Sequence, residues 1–121
     1  MMRRILLLAS IALACSRAPA PRPTGPEADV PLTIVNHNWQ DIVIYIAHDG
    51  VVQRVAQVTA VSKSDYILPW RYFSSQSTVY LIADPVGSTV VHYSDNLLVQ
   101  PGQQIVWTLE DDLSRSSVGV Y

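Results

Sequence analysis

The chain has 121 residues, of which 49% are hydrophobic, and a formal net charge of -2, which leaves room for one small domain and no second core. Beyond Arg22 the basic residues are Arg54, Lys63, Arg71 and Arg115, too widely spaced to neutralise a phosphate backbone, which argues against nucleic acid as a partner. The single cysteine, Cys15, excludes an internal disulfide and a cysteine-based zinc site.

The first fourteen residues carry Arg3 and Arg4, then an apolar run from Ile5 to Leu13, then small residues. This is the layout of a bacterial secretory signal, and its apolar run is shorter than the roughly 20 residues a membrane-spanning helix needs. Its removal would leave six basic residues against ten acidic ones. The run Ala12-Leu13-Ala14-Cys15 resembles the lipobox of bacterial lipoproteins, with Ala12 where leucine is commonest. The resemblance implies a thioether-linked diacylglycerol on Cys15, an N-acyl lipid after cleavage, and anchorage to a membrane. Ala12 and Ala14 also satisfy the rule of ordinary signal peptidase; what favours lipidation is that the only cysteine lands on the first mature position.

Residues 15–31 then form the expected tether: prolines at 19, 21, 23, 26 and 31 and almost no large apolar side chain. Such a composition cannot bury a core and favours extended polyproline II at about 3.1 Å per residue. By the same resemblance, Ser16 stands where an aspartate often retains lipoproteins in the inner membrane. Its place there implies the outer membrane in an organism that has one.

Residues 32–121 are expected to fold as an all-β domain, a small antiparallel β-sandwich. Strands are predicted over 32–36, 41–48, 51–58, 65–68, 78–83, 90–93, 97–99 and 104–109, with no convincing helix. Ile42, Ile44 and Ile46 alternate with Val43 and Tyr45, so the second strand is apolar on both faces and should be central. Asp49-Gly50 supplies a type I′ hairpin turn, and Pro101-Gly102 fits the centre of a type II turn. Another turn is predicted at Asp84-Pro85-Val86-Gly87. The strand after Gly50 alternates poorly around Arg54, which predicts an edge or a bulge. The inward set is expected to be Ile34, Ile42, Ile44, Ile46, Val55, Tyr66, Leu68, Val79, Leu81, Val91, Leu97, Val99, Ile105, Trp107 and Leu109.

Taken together, the Asn- and Trp-containing entry to a β-branched strand, the Asp-Gly hairpin, the Pro-Gly turn and the run Ile-Val-Trp-Thr-Leu resemble small β-sandwich domains of uncharacterised bacterial lipoproteins, Ig-like or transthyretin-like in form. No functional residue carries over from that resemblance.

No G-x-S-x-G, H-E-x-x-H or phosphate-cradling glycine loop occurs, and the protein is not expected to be an enzyme. His37, His48 and His92 fall on or beside different predicted strands, so no metal and no cofactor beyond the covalent lipid is expected. Glu110, Asp111 and Asp112 read as a solvated acidic turn.

Two groups of candidate binding residues remain. Trp70, Arg71 and Tyr72, within the run Pro69 to Phe73, have the residue types of recognition surfaces, a glycan included, although Trp70 and Phe73 could instead close one end of the sandwich. Val43, Tyr45, Tyr80 and Ile82 lie opposite the inward set and are expected to share one outer surface. The reading is a lipid-anchored interaction or structural module of the bacterial cell envelope, its partner another envelope protein. The alternative is a ligand-binding module using residues 69–73.

Overall fold

Ile42, Ile44 and Ile46 are fully buried, and the strand that carries them is flanked by a neighbour on each side. The structure, a computed structural model, describes residues 28–75 and 77–121; the expected signal segment, Cys15 and most of the tether lie outside them. Among the described residues eight strands form: β1 Val30–Asn36, β2 Ile42–His48, β3 Val51–Val58, β4 Ser62–Leu68, β5 Tyr80–Pro85, β6 His92–Tyr93, β7 Ile105–Leu109 and β8 Ser117–Val120. A single helical turn, α1 Arg71–Ser74, follows β4, and a 3₁₀ turn, Leu113–Arg115, precedes β8.

The strands make two four-stranded sheets, in the orders β4-β1-β7-β8 and β3-β2-β5-β6. Only β1 and β7 run parallel. The fold is therefore the expected all-β sandwich. In Ig constant-type domains the first two strands share a sheet, whereas β1 and β2 here lie in opposite sheets.

The inner faces meet over Leu32, Ile34, Ile42, Ile44, Ile46, Leu81, Ile105, Leu109 and Trp107, all at most 1% exposed. Each fully buried aliphatic side chain of this kind contributes roughly 1.5 to 3 kcal/mol. Of the predicted inward set, Val55 and Tyr66 pack only partly buried against the core, and Val91 is half-buried outside it. Val30, Leu32, Val58 and Ala83 join the core instead.

Turn chemistry sets the connections. Asp49 and Gly50 take φ of 51° and 73°, as a type I′ turn requires. Gly102 has φ 85°, and Gln103 N–H donates to Gln100 O at 3.1 Å. The third turn lies one residue later than predicted: Ser88 N–H donates to Pro85 O at 3.2 Å, with Gly87 at φ 85°. The register of β2 with β3 shifts between Ile44 and Tyr45, whose partners are Ala56 and Arg54. Thus β3 is both an edge strand and bulged, which accounts for its poor alternation.

Two segment boundaries also need correction. Val30 and Pro31, assigned to the tether, belong to β1, where Val30 pairs with Leu68 and Pro31 with Ile67. Proline fits there because β7 joins β1 only from Leu32 onward, so on that side the missing N–H has no ladder to break. The strand predicted at 97–99 does not form. Leu97 and Val99 still point inward, at 5% and 9% exposure, and Leu97 N–H reaches Val79 O at 2.7 Å.

The direction of β1 gives the sandwich two distinct ends. Val30 enters at the end that carries the Asp49-Gly50 turn and α1, where Trp70 N–H donates to Asp29 Oδ1 at 3.2 Å. The far end gathers residues 37–41, 59–61 and 110–115.

Candidate interaction surface

On the outer face of the β3-β2-β5-β6 sheet, register places Tyr45 opposite Ile82 and Ile82 opposite Tyr93. On its other side Tyr45 pairs with Arg54. Arg54, Tyr45, Ile82 and Tyr93 thus form one row across all four strands. The row toward the far end is Gln57, Val43 and Asp84; the row toward the entry end is Val52, Ala47 and Tyr80. The four residues expected to share a surface do share it, since side chains directly opposite in an antiparallel pair project to the same side.

This face partly covers itself. Ile82 is 8% exposed and Ala47 6%; the Tyr80 and Tyr93 rings meet edge to face with centroids 6.0 Å apart. Val43, Tyr45 and Tyr80 are half-buried, and Val52 and Tyr93 are open at 57% and 58%. Arg54 Nη2 lies 3.5 Å from Gln57 Oε1. Tyr93 joins the surface although its strand is only two residues long, and alternation along so short a run could not have identified it.

At the entry end, Trp70, Tyr72 and Phe73 pack against the core, with the Trp70 and Phe73 centroids 6.4 Å apart. These side chains close the end of the sandwich. Tyr72 stacks on His48 with centroids 4.0 Å apart and planes 21° from parallel, while the Arg71 guanidinium lies 5.3 Å from the Tyr72 ring centre. The aromatic surface of this turn is largely engaged within the chain.

Beside it, Asp49 Oδ1 accepts from Ser75 Oγ at 2.6 Å and Ser77 Oγ at 2.7 Å. The hydroxyls of Ser75 and Ser77, with His48 adjacent, hold the Asp49 carboxyl down at about 2. His48 contacts Asp49 Oδ2 through Nδ1 at 3.3 Å and Gln53 Oε1 through Nε2 at 2.9 Å. A nucleophile and its base would need hydroxyl on imidazole. Here the hydroxyls go to the carboxylate, and the cluster reads as a tie between the hairpin turn and the segment after α1.

At the far end, His37 Nδ1 lies 3.2 Å from Glu110 Oε2. Asp112 Oδ1 accepts from Ser114 N–H at 3.1 Å and Ser114 Oγ at 2.6 Å, bonds that lower its pKa below the usual carboxylate value. An open cleft of about 320 Å³ lies between Asn38, Pro85, Val91, His92, Asp112 and Leu113. The His92 ring stacks near Trp107 at 6.2 Å. His37 and His48 stand at opposite ends of the sandwich, separated by about the length of β2, so the structure does not bring the three histidines together. Among the described residues no group of three His, Cys, Asp or Glu side chains is placed to hold a metal ion. Trp39, 80% exposed, is a further surface aromatic at this end.

No protein-family model matches the chain, and neither does any curated protein.

Proposed function

We propose that the chain is a lipid-anchored protein of a bacterial cell envelope, held through Cys15 and a Pro-rich tether. Its sandwich serves as a non-enzymatic interaction module whose partner is another envelope protein. The observation that carries the module reading is the outer face of β2 and β5, where Val43, Tyr45, Tyr80 and Ile82 lie in adjacent rows with Tyr93. Cross-strand packing of these side chains contributes about 0.2 to 1 kcal/mol per pair, but Val52 and Tyr93 extend the apolar area well beyond what Ile82 needs for cover. Contiguous apolar surface of this kind commonly marks an interaction site.

The tether supports the same reading. Its Pro-rich stretch, extending at about 3.1 Å per residue, would hold the domain clear of the bilayer with both sheet faces accessible to other proteins. Several acyl chains, at about 0.8 kcal/mol per buried methylene, make attachment effectively permanent.

The test has two arms. Labelled fatty acid should appear on the wild type and not on Cys15→Ser, which should be released from or stalled at the membrane; an unlabelled wild type would sink the anchor. Tyr45→Lys with Tyr80→Lys should abolish a complex crosslinked in intact cells while circular dichroism still shows a folded domain. An undiminished complex would sink the role of the face.

A further inference from the structure

We infer that β4 is a self-pairing edge: two copies of the chain join β4 to β4, antiparallel, about a two-fold axis that is perpendicular to the sheet and passes between their Ser64 residues. The contact is separate from the outer face of β2 and β5 and goes beyond the role proposed for that face.

Four strands end the two sheets, and of these only β4 offers a long, regular ladder. The register of β3 shifts at Ala56 and Arg54, β6 has two residues and β8 four. By contrast, β4 pairs with β1 from Ser62 to Leu68 without a shift.

Backbone alternation shows which groups of β4 are open. His37 N–H donates to Leu109 O at 2.8 Å, so the odd-numbered residues of β1 turn their backbone groups to β7. The even-numbered ones turn theirs to β4, where their partners are Ser62, Ser64, Tyr66 and Leu68. Lys63, Asp65 and Ile67 therefore point N–H and C=O at the free edge. No turn or loop bond among the described residues reaches those groups. The side chains of the same three residues stand on the outer face, since Tyr66 and Leu68 pack toward the core.

The charges select the occupant and the register. Within its own sheet Lys63 lies opposite Val35 and Asp65 opposite Thr33. Neither appears in the ion pairs formed among the described residues, which are His37 with Glu110, His48 with Asp49, and Arg115 with Asp112. A two-fold axis at Ser64 sets Lys63 of one copy opposite Asp65 of the other, and does so twice. It also sets Ile67 opposite Val61, both open to solvent in a single copy. The run from Val61 to Ile67 is thus its own complement, apolar at its ends and oppositely charged on either side of the central serine.

The two charged pairs fall where opposed residues exchange N–H···O bonds, because both members point their backbone groups at the edge. Adjacent two-fold registers centre on Lys63 or on Asp65 and set that residue against its own copy. Registers centred on Ser62 or Tyr66 leave both charges opposite uncharged residues. Charged side chains ordinarily guard an edge against pairing; in this order they admit one register of one partner. A strand edge is smaller than the interface of a permanent dimer, so the association is weak and reversible, held by main-chain bonds.

Disulfide trapping suits such a contact. The Ser64 residues would face each other as a non-hydrogen-bonded pair with Cα atoms about 4.5 Å apart, within reach of a disulfide. The experiment uses the full chain, treated with a mild oxidant in intact bacteria, with the wild type setting the background from Cys15. Ser64→Cys should give a covalent dimer, and Ser62→Cys, displaced from the axis, should not. Added to Ser64→Cys, either Lys63→Asp or Asp65→Lys should slow dimer formation about tenfold, because two attractive pairs become repulsive. The chain carrying both charge changes should regain the original rate.

No Ser64→Cys dimer above background, equal trapping from Ser62→Cys, or no recovery in the doubly exchanged chain would overturn the inference. Should a charge variant fail to fold, the comparison of Ser64→Cys with Ser62→Cys decides by itself. None of these substitutions touches the outer face of β2 and β5, so the outcome leaves the crosslinking test of that face independent.

Discussion

Asn36 Oδ1 accepts the backbone N–H of Asn38 at 2.9 Å, and Asn38 Oδ1 in turn accepts the N–H of Gln40 at 2.9 Å. The two side chains fold the β1–β2 connection by supplying acceptors that the sheets do not. Asn36 also donates through Nδ2 to Gln40 O and Thr59 O, both at 3.1 Å, while Asn38 Nδ2 serves Glu110 O and Asp111 O at 3.2 Å. Three connections are thereby tied at one end, and among the described residues no buried side-chain polar atom lacks a partner.

Asn36 is 1% exposed, so truncation would strand groups that water cannot easily reach. Asn36→Ala should cost about 2 to 4 kcal/mol, the sum of lost bonds and newly unpaired backbone groups. Urea unfolding monitored by tryptophan fluorescence measures it. A change within about 0.5 kcal/mol would show that the network adds nothing to stability.

How much of this was legible in the sequence follows from the range of the signal. The β2–β3 hairpin was readable because Asp49-Gly50 and the isoleucine alternation act within a few residues. The disturbance at Arg54 was readable for the same reason. β8 was missed: Ser117–Val120 contains Gly119 and little apolar mass, and it becomes a strand only because β7 offers it a ladder, with Ile105 opposite Val120 and Trp107 opposite Val118. Gly119 is useful there, since a Cβ would come within 2.7 Å of Tyr121 Oη.

On the interaction surface, period-two spacing put Tyr45 and Tyr80 on a common face. The row that joins them to Arg54 and Tyr93 depends on the bulge and on strand order, which no local pattern encodes. Trp70 and Phe73 had two readings from composition alone; their packing against the core selects the closing role.

Asp49 links pH to the entry end. Its pKa is lowered from 3.8 to about 2 by the Ser75 hydroxyl first, then by Ser77 and His48. The folded state thus favours the ionised form. The stabilisation is full above the unfolded pKa of 3.8 and is lost as pH falls through about 2. Asp49→Asn removes the charge while an asparagine still tolerates the left-handed backbone there. The melting temperature of the wild type should exceed that of Asp49→Asn at about pH 5, and the gap should close toward pH 2. A gap that stays constant over that range would show that the tie does not depend on the carboxylate.

Val61 carries the one backbone strain whose relief should be visible as added stability. It sits at φ 52° in the β3–β4 turn, where a β-branched side chain crowds the backbone at a cost of about 1 to 2 kcal/mol. The surroundings impose that conformation: Val61 N–H donates to Asn38 O at 3.0 Å, and Ser62 Oγ donates to Thr59 O at 2.6 Å. The side chain itself is 60% exposed and buries little in return. Val61→Asn should keep both bonds, since asparagine enters this region readily, and should stabilise by about 1 kcal/mol, or roughly 4 to 8 °C in melting temperature for a domain of this size. Val61→Gly should gain less, because glycine also loosens the unfolded chain. Thermal unfolding of the three proteins side by side gives the order, and an asparagine variant that melts at or below the wild type would mean that the turn relaxes around valine at no cost.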